Sequence, residues 1–175
     1  MKLIFRGHDD RYAIEQSLLA FFPEERPVYE PITPEDDDCA LVSLTEGKRY
    51  ATGVTSIHYH GKTARGVSRA VLTDAPDEYE RERLRQRALK LSFFKAARDI
   101  TGVTPSWGAL TGIRPGKLAR AMLEQGKTER ETDRVLRDTY FVSPERRRLC
   151  IETAEASRRA KADLRPEDIS LYVGI

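Results

Sequence analysis

The sequence predicts an α+β protein, in which a mostly antiparallel four-stranded sheet with one helix packed on it is followed by a layer of about four helices. Three observations support this prediction. Residues 2–73 contain four strand-like segments, and the last three are joined by short turns that contain glycine. From residue 77 onward, apolar side chains recur at helical spacing. Hydrophobic residues make up 39% of the 175 residues, and a chain of this length can form a core without disulfides.

The sheet is predicted from the order of these segments. The predicted strands are Lys2–Gly7, Cys39–Thr45, Arg49–His60 and Thr63–Thr73. Between the first two, apolar residues of Arg11–Phe22 recur at helical spacing, and Pro23 ends that helix. Turns at 46–48 and 60–62 make the last three strands an antiparallel meander, so the helix and sheet form two layers.

Helix-end signals define the four helices of the second half. The predicted starts and stops are Asp77 with Gly102, Pro115 with Gln125, the capping box of Thr128 and Glu131, and Ser143-Pro144 with Ala162. These signals are local in sequence, so they predict where each helix lies but not what it packs against.

Charge divides the chain into two parts. Residues 1–78 hold 9 Lys and Arg against 14 Asp and Glu, whereas residues 79–165 hold 21 against 12. We therefore predict an α+β sheet unit at 1–78 and a basic helical unit at 79–165. The basic surface is interpreted as solvated helix faces, as a face for an acidic ligand or neighbouring domain, or as a nucleic-acid face. Residues 166–175 read as a linker and a strand, which is either a terminal edge strand or the first strand of a further domain.

The composition leaves little material for a metal centre. Two cysteines and three histidines exclude a disulfide scaffold and any site that needs three cysteines, so we predict no metal ligands. The carboxylates of the basic helices suit i,i+4 pairs with arginine better than an acid/base pair, so we also predict no catalytic residues. His58 and His60 stand two apart on a predicted strand and so share a face, but an exposed hairpin end explains them better than a metal site. Cys39 and Cys150 are interpreted as inert thiols.

The N-terminus and the hydropathy pattern predict a location. Met1 is followed by charged residues rather than by the apolar core of a signal peptide, and no uncharged apolar run is long enough to span a bilayer. The two widely separated cysteines suit a reducing compartment. We therefore expect a cytoplasmic protein with no membrane partner.

The segment Leu110-Thr-Gly-Ile-Arg-Pro-Gly-Lys117 is the most informative one, because it leads directly into a helix. Backbone amides and cations at such a helix start attract anions. The candidate anion- or substrate-binding residues are Thr111, Gly112, Arg114 and Lys117. The segment is not a P-loop, because its glycines enclose three residues and leucine follows the lysine. A tight turn with two surface cations is the alternative.

Three segments in order carry a family resemblance. Leu110-Thr-Gly-Ile-Arg-Pro-Gly-Lys, Tyr140-Phe-Val-Ser and Ser170-Leu-Tyr-Val-Gly-Ile resemble the N-terminal region of HemZ-type proteins. These are radical SAM proteins similar to the oxygen-independent coproporphyrinogen III oxidases. In that family the closing segment is the first barrel strand, followed by Pro-Phe-Cys and a CxxxCxxC motif. The resemblance implies a four-iron iron-sulfur cluster and S-adenosylmethionine for the full-length protein, and neither for these residues, which stop before that motif.

The resemblance also implies a role. It describes an N-terminal accessory domain of a protein of porphyrin and haem biosynthesis, inactive alone, whose partner is its own C-terminal radical SAM barrel. The full-length protein would be an oxidoreductase that decarboxylates two propionates of coproporphyrinogen III. The domain would cover the barrel and help form the mouth for the acidic porphyrinogen, with Arg114 and Lys117 complementing its carboxylates. Two alternatives remain: a basic nucleic-acid-binding module, although no RNA-binding signature is present, and a purely structural docking role.

Overall fold

The computed structural model describes residues 1–31, 37–73, 75–110 and 114–162. Its elements are β1 (Lys2–Arg6), α1 (Arg11–Phe21), β2 (Cys39–Glu46), β3 (Tyr50–Tyr59), β4 (Lys62–Val71), α2 (Glu78–Thr101), α3 (Pro115–Glu124), α4 (Glu129–Asp138) and α5 (Pro144–Ala162). The predicted α+β class is therefore confirmed. The strand predicted at 169–175 lies outside the described residues.

The four strands form one sheet in the order β1-β2-β3-β4. β1 pairs with β2 in parallel, with Leu3 opposite Ala40, while β2–β3 and β3–β4 are antiparallel. Parallel neighbours need a crossover connection, and the stretch containing α1 supplies it, whereas β2, β3 and β4 are joined by short turns. The expectation of a mostly antiparallel four-stranded sheet is confirmed.

Helix α2 lies directly on the sheet beside α1, so two helices pack on the sheet where the sequence predicted one, and α3, α4 and α5 form the separate helical layer. A Cβ atom at Gly66 would stand 1.9 Å from the Ser92 carbonyl oxygen, and one at Gly53 would stand 2.6 Å from the Ala88 carbonyl oxygen. Beside Gly66, which is opposite Thr55 in the sheet, the buried hydroxyls of Thr55 and Ser92 are 2.8 Å apart and hydrogen-bonded. The small residues of β3 and β4 thus let the helix backbone approach the sheet backbone. The boundary at residue 78 follows the charge pattern and stays a prediction.

Two clusters of buried side chains form the core. The sheet core joins the inner sheet face to α1 and α2, with Leu3, Ile14, Leu18, Val42, Ile57, Leu89, Phe93 and Phe94 among its members. The helical core joins α3, α4 and α5, with Leu110, Ala119, Met122, Leu123, Leu136, Tyr140, Val142, Cys150 and Ala154. Phe141 stacks on Phe94 with ring centroids 5.1 Å apart. The segment after α4 therefore contacts both clusters.

The helix ends follow the predicted local signals. The Asp77 carboxylate accepts from the Glu80 amide at 2.8 Å, and Gly102 ends α2 with φ of 70°. Thr128 and Glu131 form a complete capping box at α4, and Pro144 is the first residue of α5. Among the described residues, no helix combines the length and the apolar character that a membrane crossing requires.

Candidate anion-binding groove

A groove of about 630 Å³ lies between the start of α3 and the facing side of α5. It is lined by Arg114, Pro115, Gly116, Lys117, Arg120, Thr153 and Ser157. Two of the four predicted site residues, Arg114 and Lys117, are among them. The other two, Thr111 and Gly112, lie outside the described residues. The lining residues include three cations and no carboxylate, so the groove is basic.

The local sequence explains why α3 begins here. Pro115 occupies the first turn, where its missing N–H costs nothing, and Arg114 before it is extended. The amides of Lys117 and Leu118 donate to the Arg114 carbonyl at 3.1 and 3.2 Å. The first turn holds no acidic residue and, among described residues, no side chain caps it. The partial positive charge of the helix N-terminus therefore adds to the charge of the groove.

Packing sets the width of the groove. The apolar side of α3, formed by Ala119, Met122 and Leu123, is buried in the helical core. A Cβ atom on Gly116 would lie 3.4 Å from Thr153 Cγ2, so the first turn of α3 runs close to α5. One turn later, Arg120 lies beside the α5 hydroxyl of Ser157. The groove is thus the seam between two helices that belong to one core.

Arg120 lies between α3 and α5, and one nitrogen of its guanidinium group has no hydrogen-bond partner among the described residues. Its Nη1 donates to Ser157 Oγ at 3.3 Å. Its Nε lies 3.3 Å from Glu124 Oε1, close enough for an ion pair but misaligned for a hydrogen bond, and this buried nitrogen has no hydrogen-bond partner. Glu124 therefore attracts the guanidinium without accepting a hydrogen bond from Nε. A buried polar group left in this state costs on the order of 1–3 kcal/mol.

The two outer cations, Arg114 and Lys117, are exposed. In the part of the chain that the structure describes, neither side chain forms a recorded hydrogen bond or ion pair. The groove therefore offers cationic N–H groups and two hydroxyls, and this donor set suits an oxyanion such as a carboxylate or phosphate. Among the described residues, its lining contains no histidine, cysteine or carboxylate.

Sequence reasoning missed Arg120, Thr153 and Ser157. A signal was present, because Gly116 and Arg120 stand four residues apart on α3, as do Thr153 and Ser157 on α5, and such spacing puts each pair on one helix face. Nothing local showed that these two faces meet.

The histidine pair is not arranged as expected. β3 ends at Tyr59, and His60 and Gly61 form a two-residue hairpin turn with φ of 47° and 73°. The expectation that His58 and His60 share a strand face is wrong, because such a turn takes positive φ at both positions and turns His60 away from strand geometry. His58 Nδ1 contacts the Asp37 carbonyl oxygen. Within the described residues, no group of three or more His, Cys, Asp or Glu is placed to hold a metal.

The cysteines do not resemble cluster ligands. Cys150 is 2% exposed in the helical core, and burial raises the pKa of its thiol. Cys39 is half-buried at the start of β2, and neither thiol forms a disulfide with a described residue. A four-iron cluster held by three cysteines does not fit a sequence that has two.

A second groove, of about 530 Å³, lies beside His8 and Tyr29. The His8 ring is bonded locally, with Nε2 at 3.3 Å from the Val42 carbonyl oxygen and Nδ1 at 3.2 Å from the Asp10 amide nitrogen. Burial lowers the pKa of His8 against the opposing effects of the Val42 carbonyl and nearby carboxylates. Since both ring nitrogens are used, we interpret His8 as a structural residue joining β2 to the start of α1.

The chain is 30% identical over 105 residues to the oxygen-independent coproporphyrinogen-III oxidase-like protein HemZ of Bacillus subtilis (strain 168). The matched region covers 58% of this chain and 21% of the relative. The chain thus spans about a fifth of the length of the curated relative it matches. No family model and no solved structure matches the chain. The predicted resemblance to HemZ-type proteins is confirmed by this similarity.

Proposed function

We propose that this chain is the N-terminal accessory domain of a HemZ-type protein of porphyrin biosynthesis, and that it covers a radical SAM barrel and helps form the substrate mouth. The observation that carries the proposal is the position of the groove. The Leu110–Lys117 segment, one of the segments that resemble the family, leads into α3, where Arg114 and Lys117 line a basic groove. The similarity to HemZ also supports a role in porphyrin biosynthesis.

The chemistry of the substrate class suits the groove. Coproporphyrinogen carries propionate side chains, and such carboxylates are ionised near neutral pH. Arg114 and Lys117 are exposed and have no recorded ion pair with described residues, so their charge is available to a ligand. Complementary charge of this kind attracts a polyanion and orients it more than it contributes affinity.

The proposal divides the work between this domain and the barrel. The barrel would hold the iron-sulfur cluster and S-adenosylmethionine and carry out the oxidative decarboxylation, because this chain lacks the cysteines for a cluster. This domain would bind and orient the carboxylates of the substrate. Cys39 and Cys150 form no disulfide among the described residues, which is compatible with a reducing, cytoplasmic setting, and we include that setting in the proposal.

The test is titration with coproporphyrin III, the stable oxidised tetracarboxylate, followed by its absorbance and fluorescence anisotropy. We expect saturable binding at low ionic strength that weakens with added salt. Arg114→Glu with Lys117→Glu should weaken binding at least about tenfold, since it replaces two attractive charges by two repulsive ones. Arg130→Glu on α4 is the matched control, because Arg130 is exposed and does not line the groove.

Two outcomes would overturn the proposal. One is the absence of any binding by the wild-type chain at low salt. The other is equal binding by the wild type and the double charge-reversal variant. A gel-shift experiment with mixed RNA tests the nucleic-acid alternative in parallel, because that alternative requires steeply salt-dependent retardation.

A further inference from the structure

We infer that Arg120 is the inner carboxylate-binding residue of the groove, and that Glu124 is an internal counter-ion which a bound carboxylate replaces. This inference rests on the proposed function, since it takes the ligand to be a molecule with propionate-like carboxylates. It adds a specificity-determining pair that the outer cations Arg114 and Lys117 do not supply.

Arg120 lies deeper in the groove than the two outer cations. Its side chain is 22% exposed, so it lies deeper than the exposed Arg114 and Lys117 while still lining the groove. Ser157 holds Nη1 at 3.3 Å and so orients the guanidinium plane. A planar guanidinium that is already oriented binds the two oxygens of a carboxylate side by side, which a lysine ammonium cannot do.

Within the part of the chain that the structure describes, Arg120 Nε lacks a hydrogen-bond acceptor that a ligand could supply. This nitrogen is buried and has no hydrogen-bond partner, although Glu124 Oε1 lies 3.3 Å away. Glu124 therefore balances the charge of Arg120 without satisfying its N–H. A ligand carboxylate aligned with the guanidinium would supply both the charge and the missing hydrogen bond, so exchange favours the ligand.

The position of Glu124 makes it easy to displace. It is the last residue of α3, where the negative end of the helix dipole disfavours a carboxylate. It follows Arg120 by four residues, and an acidic residue on the C-terminal side of a basic one is the weaker order for such a pair. Its side chain is 49% exposed, so its attraction to Arg120 is screened by solvent. Moving the Glu124 carboxylate into water therefore costs little interaction free energy.

The experiment is a double-mutant cycle with tricarballylate, coproporphyrin III and inorganic phosphate as probes, measured by calorimetry at low salt. Arg120→Gln should weaken binding of both carboxylate probes about tenfold, which is ~1.4 kcal/mol. Glu124→Gln should tighten it several-fold, because the internal competitor is gone. In the double variant the Glu124→Gln gain should vanish, since it acts through Arg120. Glu24→Gln, which removes an exposed carboxylate outside the groove, is the matched control and should not tighten binding. Circular dichroism checks that each variant is folded.

The outcomes separate this inference from the proposed function. Wild-type and Arg120→Gln chains that bind coproporphyrin III equally would overturn the inference and leave the proposed function standing. The expected cycle with tricarballylate, but no binding of coproporphyrin III, would support the inference and overturn the proposed function. Additive effects of the two substitutions would overturn the exchange of Glu124. Tighter wild-type binding of phosphate than of tricarballylate would overturn the assignment of a carboxylate ligand.

Discussion

Gly66 of β4 lies directly beneath Ser92 of α2, so that a Cβ atom at Gly66 would stand 1.9 Å from the Ser92 carbonyl oxygen. The obstacle is the helix backbone, which cannot turn aside as a side chain can. The same Cβ atom would lie 2.7 Å from the Ala96 amide nitrogen. The hydrogen bond between Thr55 and Ser92 lies at the same contact. Because of this close approach, α2 packs directly on the sheet.

We therefore expect Gly66→Ala to lower the free energy of unfolding by about 1–3 kcal/mol or more, because α2 must move away from the sheet. Urea unfolding followed by circular dichroism measures the change. Gly47→Ala is the matched control, since the nearest atom to its added Cβ is the Tyr50 carbonyl oxygen at 3.9 Å. Equal destabilisation by both substitutions would contradict the close contact of α2 with β4.

The ion pairs of Glu46 predict a pH dependence. Hydrogen bonds from Arg85 and Arg81, each 2.6 Å long, lower the pKa of Glu46 from 4.5 to about 2. Because the folded pKa lies below the unfolded one, the contribution of Glu46 to stability is complete above about pH 4.5 and is lost as the pH falls toward 2. Unfolding curves of the wild type and Glu46→Gln should converge over that window. A difference that stays constant from pH 4.5 to 2 would show that these arginines do not perturb Glu46.

The capping box of α4 predicts a local loss of stability. The Thr128 hydroxyl accepts from the Glu131 amide at 3.2 Å, and the Glu131 carboxylate accepts from the Thr128 amide at 2.8 Å. Removing such a cap costs about 0.5–2 kcal/mol, so Thr128→Ala should destabilise the protein by that amount. Thr128→Ser keeps the hydroxyl and should stay near the wild type in thermal unfolding. If serine and alanine proved equally destabilising, the hydroxyl would not be what matters.

Burial predicts different reactivities for the two thiols. Cys150 is 2% exposed, and burial raises the pKa of its thiol, so little reactive thiolate is accessible in the folded state. In a Cys39→Ser variant at pH 8, Ellman's reagent should label Cys150 only as fast as the protein unfolds. Labelling should be immediate in denaturant. Rapid labelling of the native variant would place Cys150 at the surface instead of in the helical core.

The element order and most boundaries could be predicted, because their signals act over a few residues. Asp77, Thr128 and Pro144 mark helix starts through contacts within one turn, and Gly102 ends α2 through its own positive φ. The placement of His60 on a strand was wrong, because the end of β3 is not defined by a local signal of this kind. The two-residue turn that contains it depends on the register between β3 and β4, which a single strand pattern does not define.

The candidate site was predicted only in part. Arg114 and Lys117 were found because they flank a recognisable helix start, whereas Arg120, Thr153 and Ser157 looked like ordinary residues of amphipathic helices. Their role depends on α3 packing against α5 within the helical core. Which helices meet is decided by the fit of many side chains that are distant in sequence, and no single motif records that.

The sequence by itself determined the α+β class, the helix ends and the resemblance to HemZ-type proteins, because each rests on local patterns or on the order of motifs. Only the tertiary structure decided that α2 joins the sheet core through Gly66, and that Arg120 meets Ser157 across a basic groove beside Glu124. The physical reason is range: caps and turns are formed by residues within one helical turn or hairpin, whereas packing joins surfaces separated by tens of residues in the chain.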